Sequence, residues 1–542
     1  MLFRSTQAGT ALPNESNIAA KETMLSYFGR INYTIADKYL ATFTMRADGS
    51  SKFGDGNRWG VFPSLALAWR MNEENFLKNV KWLDNLKLRL SWGTAGNNRI
   101  NSGLIVSTYS MAANTAKSPF FNEERASMLE RGTYLYNPDL KWETTVTRNI
   151  GLDFGFFRGR INGTLDFYWN TTKDLLMQSV IPSNSGYSYQ FQNFGRTSNS
   201  GVELTLNAAI IEKKNFNLNF NFNISYNKNK IDELNLENPW QSSNWSGSTM
   251  SKYEDFRVEE GGRLGEIWGY KYVGFYTPYD AEKNPNGELI LDGTTWKLRD
   301  GINDKSSTIF EALYPGAPKV EVDENGEPIK QRLGNTIPTT TGGFGLDGSY
   351  KTKVGTFDFN VFFNYSLGNK IVNGTKLANA FYAGSQKGYN LVSDFNLSDR
   401  YTWIDPNNGL NIGRPSSATI AEYGGNNQLI ARLLELNQNA GIYNPAAVAK
   451  MQLIDWAVED ASFLRLQTVT LGYSLPKSLV KKFHIENVRI YGTGHNLLCF
   501  TKYEGYDPEV DTSSTRNPMT PGIDYAAYPK SRTYVLGINV TF

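Results

Sequence analysis

Two histidines, His484 and His495, and one cysteine, Cys499, are all the imidazole and thiol in 542 residues. A multi-histidine metal site or a histidine-dependent hydrolase has little to build with, and neither an intrachain disulfide nor a cysteine-based zinc site is possible. Carboxylates are plentiful, but glycoside hydrolysis needs a pair about 5–9.5 Å apart in a defined cleft, and the spacing of Asp and Glu marks no such cleft. No glycine-rich phosphate loop joins a strand to a helix; Gly342-Gly343 follows a run of threonines and opens a strand instead. The expectation is a protein that is not an enzyme and needs no cofactor. Recognition is left. Trp240, Trp245, Tyr253, Tyr382 and Trp403 sit in irregular stretches, where aromatic faces suit sugar stacking and amphipathic contact or serve to anchor loop packing. Arg30, Arg46, Asp166, Glu203, Asp358 and Arg489 could line a solute path or pair with one another.

The elements that position these groups are strands. From Asn215 to Asn227, NFNLNFNFNISYN, Phe216, Leu218, Phe220, Phe222, Ile224 and Tyr226 alternate without a fault with Asn and Ser. Side chains of a strand point to opposite faces with period two, so this stretch has a greasy face and a wet one. It is long for a soluble strand, where ~5–6 residues is usual, and long enough for a tilted strand crossing a bilayer, which needs ~9–11. The reading is that the greasy face meets lipid and the asparagine face lines a wet interior.

The same unit recurs. A hairpin of Leu25–Ile35 and Tyr39–Asp48 turns at Ala36-Asp37-Lys38, and alternation resumes at Val61–Arg70, Leu86–Trp92, Asn149–Phe156, Ile161–Asn170 and Val202–Ala208. Beyond the opening stretch it returns at Phe344–Tyr350, Phe357–Leu367, Phe463–Ser474, Val488–Leu498 and Tyr534–Phe542. The phase slips between Leu466 and Val469, which predicts a bulge. A short helical link is expected near Asn72–Val80, and helical periodicity near Gln428–Asn437 and Pro445–Trp456. The count is about 13 strands, joined alternately by short turns and long loops, with the loops about 96–143, 230–340, 368–461 and 499–530. The 230–340 loop shows no domain-sized core pattern. Short periplasmic turns and long extracellular loops are the habit of outer-membrane barrels, and the parity then leaves Phe542 periplasmic. Tyr534, Leu536, Ile538, Val540 and Phe542 share one face of a last strand suited to barrel assembly.

Composition agrees. Aromatics reach 13 %, which suits girdles at two interfaces and would equally suit a soluble β-rich lectin; mean hydropathy is −0.44, and no run of 18 apolar residues marks a membrane helix. A net charge of +2 argues against a nucleic-acid partner held by phosphate neutralisation. Residues 1–23 read as a loop remnant without a secretory leader's basic start and apolar core, and thirteen is odd where a single-chain bacterial barrel needs an even number. A fragment is therefore expected.

The residues also resemble the SusC/RagA family of TonB-dependent outer-membrane transporters. The likeness runs through Tyr27-Phe28-Gly29-Arg30-Ile31-Asn32-Tyr33, Arg46-Ala47-Asp48-Gly49-Ser50-Ser51-Lys52-Phe53-Gly54 and Asn57-Arg58-Trp59-Gly60-Val61-Phe62-Pro63-Ser64. It continues through Asn137-Pro138-Asp139-Leu140-Lys141-Trp142-Glu143, Phe463-Leu464-Arg465-Leu466 and Thr501-Lys502-Tyr503-Glu504-Gly505-Tyr506-Asp507-Pro508-Glu509. The resemblance implies an all-β antiparallel transmembrane barrel of 22 strands, of which 24–542 would be the C-terminal part, with plug domain and TonB-contacting segment outside this sequence. It implies import of oligosaccharides or peptides through the outer membrane, with a SusD-like surface lipoprotein and the TonB complex as partners. Asp323, Asn325 and Glu327 resemble the calcium loops of family members, although Glu327 stands where Asp is usual and Pro328 where Gly is; a plain turn is the stronger expectation. A non-transporting receptor or adhesin barrel, and a soluble carbohydrate-binding β-protein, are the alternatives.

Overall fold

The computed structural model describes residues 22–112, 120–121, 124–125, 128–234, 240–242, 255–381, 391–512 and 521–542. Thirteen long strands are hydrogen-bonded in one antiparallel order, each beside its neighbours in sequence. They are β1 (Met24–Ile35), β2 (Tyr39–Ser50), β3 (Trp59–Arg70), β4 (Leu83–Asn97), β5 (Glu143–Phe156), β6 (Ile161–Lys173), β7 (Arg196–Lys213) and β8 (Phe216–Glu233). Then follow β9 (Thr340–Thr352), β10 (Gly355–Leu367), β11 (Phe463–Ser474), β12 (Asn487–Thr501) and β13 (Thr533–Thr541). The count matches the alternation. Several strands run longer than the alternation showed, because their ends leave it: β8 continues to Glu233, past the last of the asparagines.

The chain divides into two compact units, residues 1–209 with 225–237, and residues 210–224 with 238–542. In the first, register fixes two faces. Ile31, Phe43, Leu65 and Trp92 stand in one row across β1 to β4, and Leu88, Leu152, Leu165 and Leu204 in another from β4 to β7. The opposite face carries Asn32 beside Thr42, Lys87 beside Asp153 and Asp166 beside Glu203. Tight turns join the hairpins: Ala36 and Asp37 adopt left-handed backbone, as do Phe157, Arg158 and Gly159, matching the twist of the flanking strands. A small core of Phe53, Phe62, Ile100, Leu104, Leu140 and Trp142 fastens the 51–58 segment to the stretches around 100–104 and 140–142.

In the second unit Phe344, Phe363 and Leu466 form one apolar row and Tyr350, Phe357 and Tyr473 another. The expected bulge is present: pairing jumps from Leu466 to Thr468, leaving Gln467 as the extra residue. The expectation that 230–340 lacks a core is corrected. Phe256, Ile267, Phe310 and Val320 are buried in one cluster with Val372, Leu377, Phe395, Tyr443 and Met451, and Tyr276, Leu289 and Trp296 in another with Tyr401, Trp403 and Leu429. Each cluster joins stretches more than fifty residues apart, which no local periodicity reveals. The helix foreseen near Gln428 spans Asn426–Leu436 and buries Leu429, Ile430 and Leu433. The one foreseen at Pro445–Trp456 is absent: only single 3-10 turns form, at Pro445–Ala447 and Asp455–Ala457. Met451, Gln452, Leu453 and Ile454 are all buried in succession, and an extended segment threaded through a core needs no single apolar face.

Candidate functional site

The greasy rows are open rather than covered. Ile31 is 66 % exposed, Leu67 44 %, Leu471 64 % and Leu536 89 %, whereas the deeply buried side chains belong mainly to the loops. In the first unit aromatic rings mark both ends of the apolar face. Tyr27 stacks on Trp59 at the long-loop end, and Tyr39 on Trp69 at the short-turn end. Trp82 meets Phe156 beside the next short turn. Trp59 and Trp69 lie on the same strand, ten residues apart, which is about 34 Å of strand and roughly 25 Å of height at a tilt of ~40°. The Glu74 carboxylate, in the turn after β3, accepts from the Tyr39 hydroxyl at 2.7 Å, the Trp69 indole N–H at 3.1 Å and Lys38 at 2.9 Å. Those bonds, the tyrosine's foremost, hold its carboxyl down at about 2.

On the wet face charge is paired across strands. Arg89 on β4 reaches Asp153 on β5 at 2.7 Å and Asp166 on β6 at 3.0 Å, while Lys87 also meets Asp153 at 2.8 Å. Arg89 crosses β5 above Gly151, where a Cβ would lie 2.5 Å from the Asp166 carboxylate and 2.6 Å from the guanidinium. The second unit repeats the device. Arg489 on β12 donates to Asp358 on β10 at 3.0 Å, passing over Gly472 of β11, where a Cβ would lie 2.6 Å from its Nη2.

Of the polar groups singled out from sequence, Asp166, Asp358 and Arg489 thus belong to ion bridges. Arg46 pairs with Asp48 at 2.8 Å, Arg30 donates to Thr44 at 3.2 Å, and Glu203 accepts from Ser225 at 3.2 Å. Arg89, Lys87 and Asp153 were overlooked; the alternation of Lys87 and Arg89 with Leu86, Leu88 and Leu90 was the available signal. Among the loop aromatics, Trp403 is buried, its indole N–H donating to the Pro315 carbonyl at 2.7 Å. Trp240 pairs through its backbone with Val258. Trp245, Tyr253 and Tyr382 lie outside the described residues. Tyr534, Leu536, Ile538 and Val540 share the open face of β13, and Phe542, 85 % exposed, follows one residue past its end.

The Asp323–Glu327 segment is a turn. Asp323 accepts from the backbone N–H of Asn325 and Glu327, both at 2.8 Å, and Glu327 pairs with Lys305. No group of three His, Cys, Asp or Glu side chains converges on a metal site among the described residues.

Sequence stretches far apart meet at the strand ends. In the first unit the Trp142 indole donates to the Arg58 carbonyl at 2.9 Å and Asn57 to the Asp139 carbonyl at 3.0 Å. In the second, buried Arg465 on β11 pairs with Asp507 at 2.8 Å and Glu509 at 3.0 Å. Removing one partner of such a buried pair strands a charge, so these joints fix the loops on the strands below them. The loop layer has a further anchor in Asp405. Arg432 grips it bidentately at 2.8 and 3.0 Å and Tyr423 donates at 2.7 Å, which holds its carboxyl well below the usual carboxylate range.

Comparison with known proteins decides the family. The sequence model described as "TonB dependent receptor-like, beta-barrel" matches residues 3–309. The chain belongs to the TonB-dependent receptor-like β-barrel family. It is 31 % identical to TonB-dependent receptor P3 of Formosa agariphila over 100 % of this chain and 48 % of that protein. It is 32 % identical to TonB-dependent receptor SusC of Bacteroides thetaiotaomicron over 98 % of this chain and 45 % of the relative. The chain spans about half the length of these curated relatives. Among solved structures, that of the RagAB peptide transporter superposes with a TM-score of 0.67 at 25 % identity, over 96 % of this chain and 48 % of that one. The RagAB peptide importer in its closed-closed state gives 0.68 at 26 %, over the same shares. The expected SusC/RagA likeness and the antiparallel barrel fold class both stand.

Proposed function

We propose that this chain forms the C-terminal part of an outer-membrane barrel that imports nutrient oligomers, oligosaccharides or peptides, under TonB drive. The observation that carries the reading is the pair of faces: rows of exposed Phe, Leu, Ile and Tyr on one side, bounded by aromatic pairs, and asparagine, threonine and bridged charges on the other. Exposed apolar patches beyond a few hundred Å2 are rare on soluble monomers, and a lipid-facing band between aromatic girdles accounts for them. The relative named SusC and the RagAB peptide transporter support import rather than adhesion. On this reading the long loops 96–143, 230–340, 368–461 and 499–530 are extracellular. The short turns and the C-terminus are periplasmic, and a SusD-like lipoprotein covers the loops. Energy coupling enters through a TonB-contacting segment outside this sequence.

The test is growth of the native host on candidate oligosaccharides and peptides as sole carbon source. Deleting the gene abolishes growth on at least one of them, and the gene restores it only where TonB is intact. Restoration without TonB, or unaltered uptake of every oligomer after deletion, overturns the reading in favour of an adhesin or receptor.

A further inference from the structure

Within the second unit, a cleft of about 610 Å3 opens among the loops between Leu391 and Ala446, a size that suits a small ligand. Its lining contains two arginines, Arg400 and Arg414, and neither an aspartate nor a glutamate. Two other arginines of the second unit are neutralised: Arg432 by Asp405, and Arg465 by Asp507. No carboxylate among the described residues forms an ion pair with Arg400 or Arg414. Arg414 is nonetheless held in place. Its guanidinium lies 4.0 Å from the centre of the Tyr314 ring and 4.7 Å from that of Trp403, and its Nη2 donates to the Ala446 carbonyl at 3.2 Å. A guanidinium stacked on aromatic faces keeps its planar fork oriented for a carboxylate. The lining also includes Tyr401, 1 % exposed, whose buried hydroxyl finds no hydrogen-bond partner among the described residues. A buried polar group left so is uncommon. Ile404, 48 % exposed, and Pro445 give the cleft an apolar side.

We propose that this cleft binds a carboxylate-bearing oligomer of the imported material. The carboxylate is held by Arg414 and Arg400, and the body of the oligomer packs on Ile404 and Pro445. The proposal deepens the import reading and rests on it. The two sources of such a carboxylate, an acidic peptide and a uronic-acid oligosaccharide, share the chemistry that two unpaired guanidinium groups recognise.

The test is calorimetric titration of the purified protein in detergent with four probes: trigalacturonate, a glutamate-containing tetrapeptide, maltotriose and tetra-alanine. One of the two acidic probes binds and its neutral counterpart does not, which also identifies the source of the carboxylate. Binding weakens steeply between 50 and 500 mM salt, as a partly exposed ion pair must, at a Debye length falling from about 14 to 4 Å. Arg414→Met weakens it at least ~10-fold and Arg414→Lys less, because a lysine keeps the charge without the fork. Arg400→Gln acts in the same direction. Each variant is checked for native migration before boiling, so that a folding failure is not read as a binding failure. Acidic probes that bind no better than neutral ones, or variants that bind as wild type does, overturn the proposal. Binding in detergent needs no TonB. Intact binding without TonB-dependent uptake would therefore sink the import reading and leave the cleft, whereas uptake without acidic-probe binding would sink the cleft alone.

Discussion

Leu65 lies near the middle of β3, six residues from Trp59 and four from Trp69, is 41 % exposed, and has Phe43 and Trp92 as its cross-strand neighbours. If the band between those tryptophans is in hydrocarbon, Leu65 sits near the bilayer midplane. Arginine there costs ~2–4 kcal/mol. Taking about 3 kcal/mol, the folded-to-unfolded ratio falls roughly a hundredfold. Ala66 is the adjoining residue on the other face, exposed and flanked by Thr42 and Ser91. Ala66→Arg there stays within about 0.5 kcal/mol of wild type. Depth gives a second check. Val61, on the apolar face two residues from Trp59, tolerates arginine at ~0–1 kcal/mol, since the cost fades toward the interface. Urea unfolding of the protein in phospholipid vesicles, followed by mobility before and after boiling, measures all three. Equal penalties for Leu65→Arg and Ala66→Arg would refute the assignment of faces. Equal penalties for Leu65→Arg and Val61→Arg would refute the depth.

Gly151→Ala should destabilise by ~1–3 kcal/mol, because the added Cβ meets Arg89 and Asp166 at under 3 Å and overpacking costs about that much. Gly29→Ala, with nothing within 4 Å, should be silent, and the same unfolding assay separates them. Asp405 is depressed in the folded state by Arg432. Its stabilisation is therefore complete above the unfolded value of about 3.9 and lost as pH falls below it. Protease protection of the loop layer should drop between about pH 4 and pH 2 in the wild type, while Asp405→Asn should be sensitive at neutral pH and flat across that window.

The strands were legible because alternation is a local signal. Phe216 to Tyr226 declares its faces with no help from the rest of the chain, and the slip after Leu466 declares the bulge at Gln467. The loops were not legible, because their cores are assembled from distant stretches. Nothing local tells that Phe256 packs with Tyr443, or that Tyr276 and Trp403 share a cluster. The same reason hid the arginines. Arg89 gains its role from Gly151 and Asp166 on two other strands, and Arg414 from Tyr314, a hundred residues away. Trp403, one of the aromatics that could either meet a ligand or anchor loop packing, is buried and does the second: its indole bonds the Pro315 carbonyl, next to Gly316, which adopts a positive φ and where a Cβ would meet the Tyr401 ring at 2.5 Å.

The central claim is that hydrocarbon touches the apolar rows and water the polar ones. Spin labels at single cysteines along β3, from Val61 to Ala68, in a Cys499→Ser background and in vesicles, test it most directly. The account predicts accessibility alternating with period two, oxygen reaching Val61, Leu65 and Leu67 and a water-soluble nickel chelate reaching Ser64, Ala66 and Ala68. Labels at Leu65 and Leu67 shielded from both reagents, as if a second protein layer covered them, would contradict it.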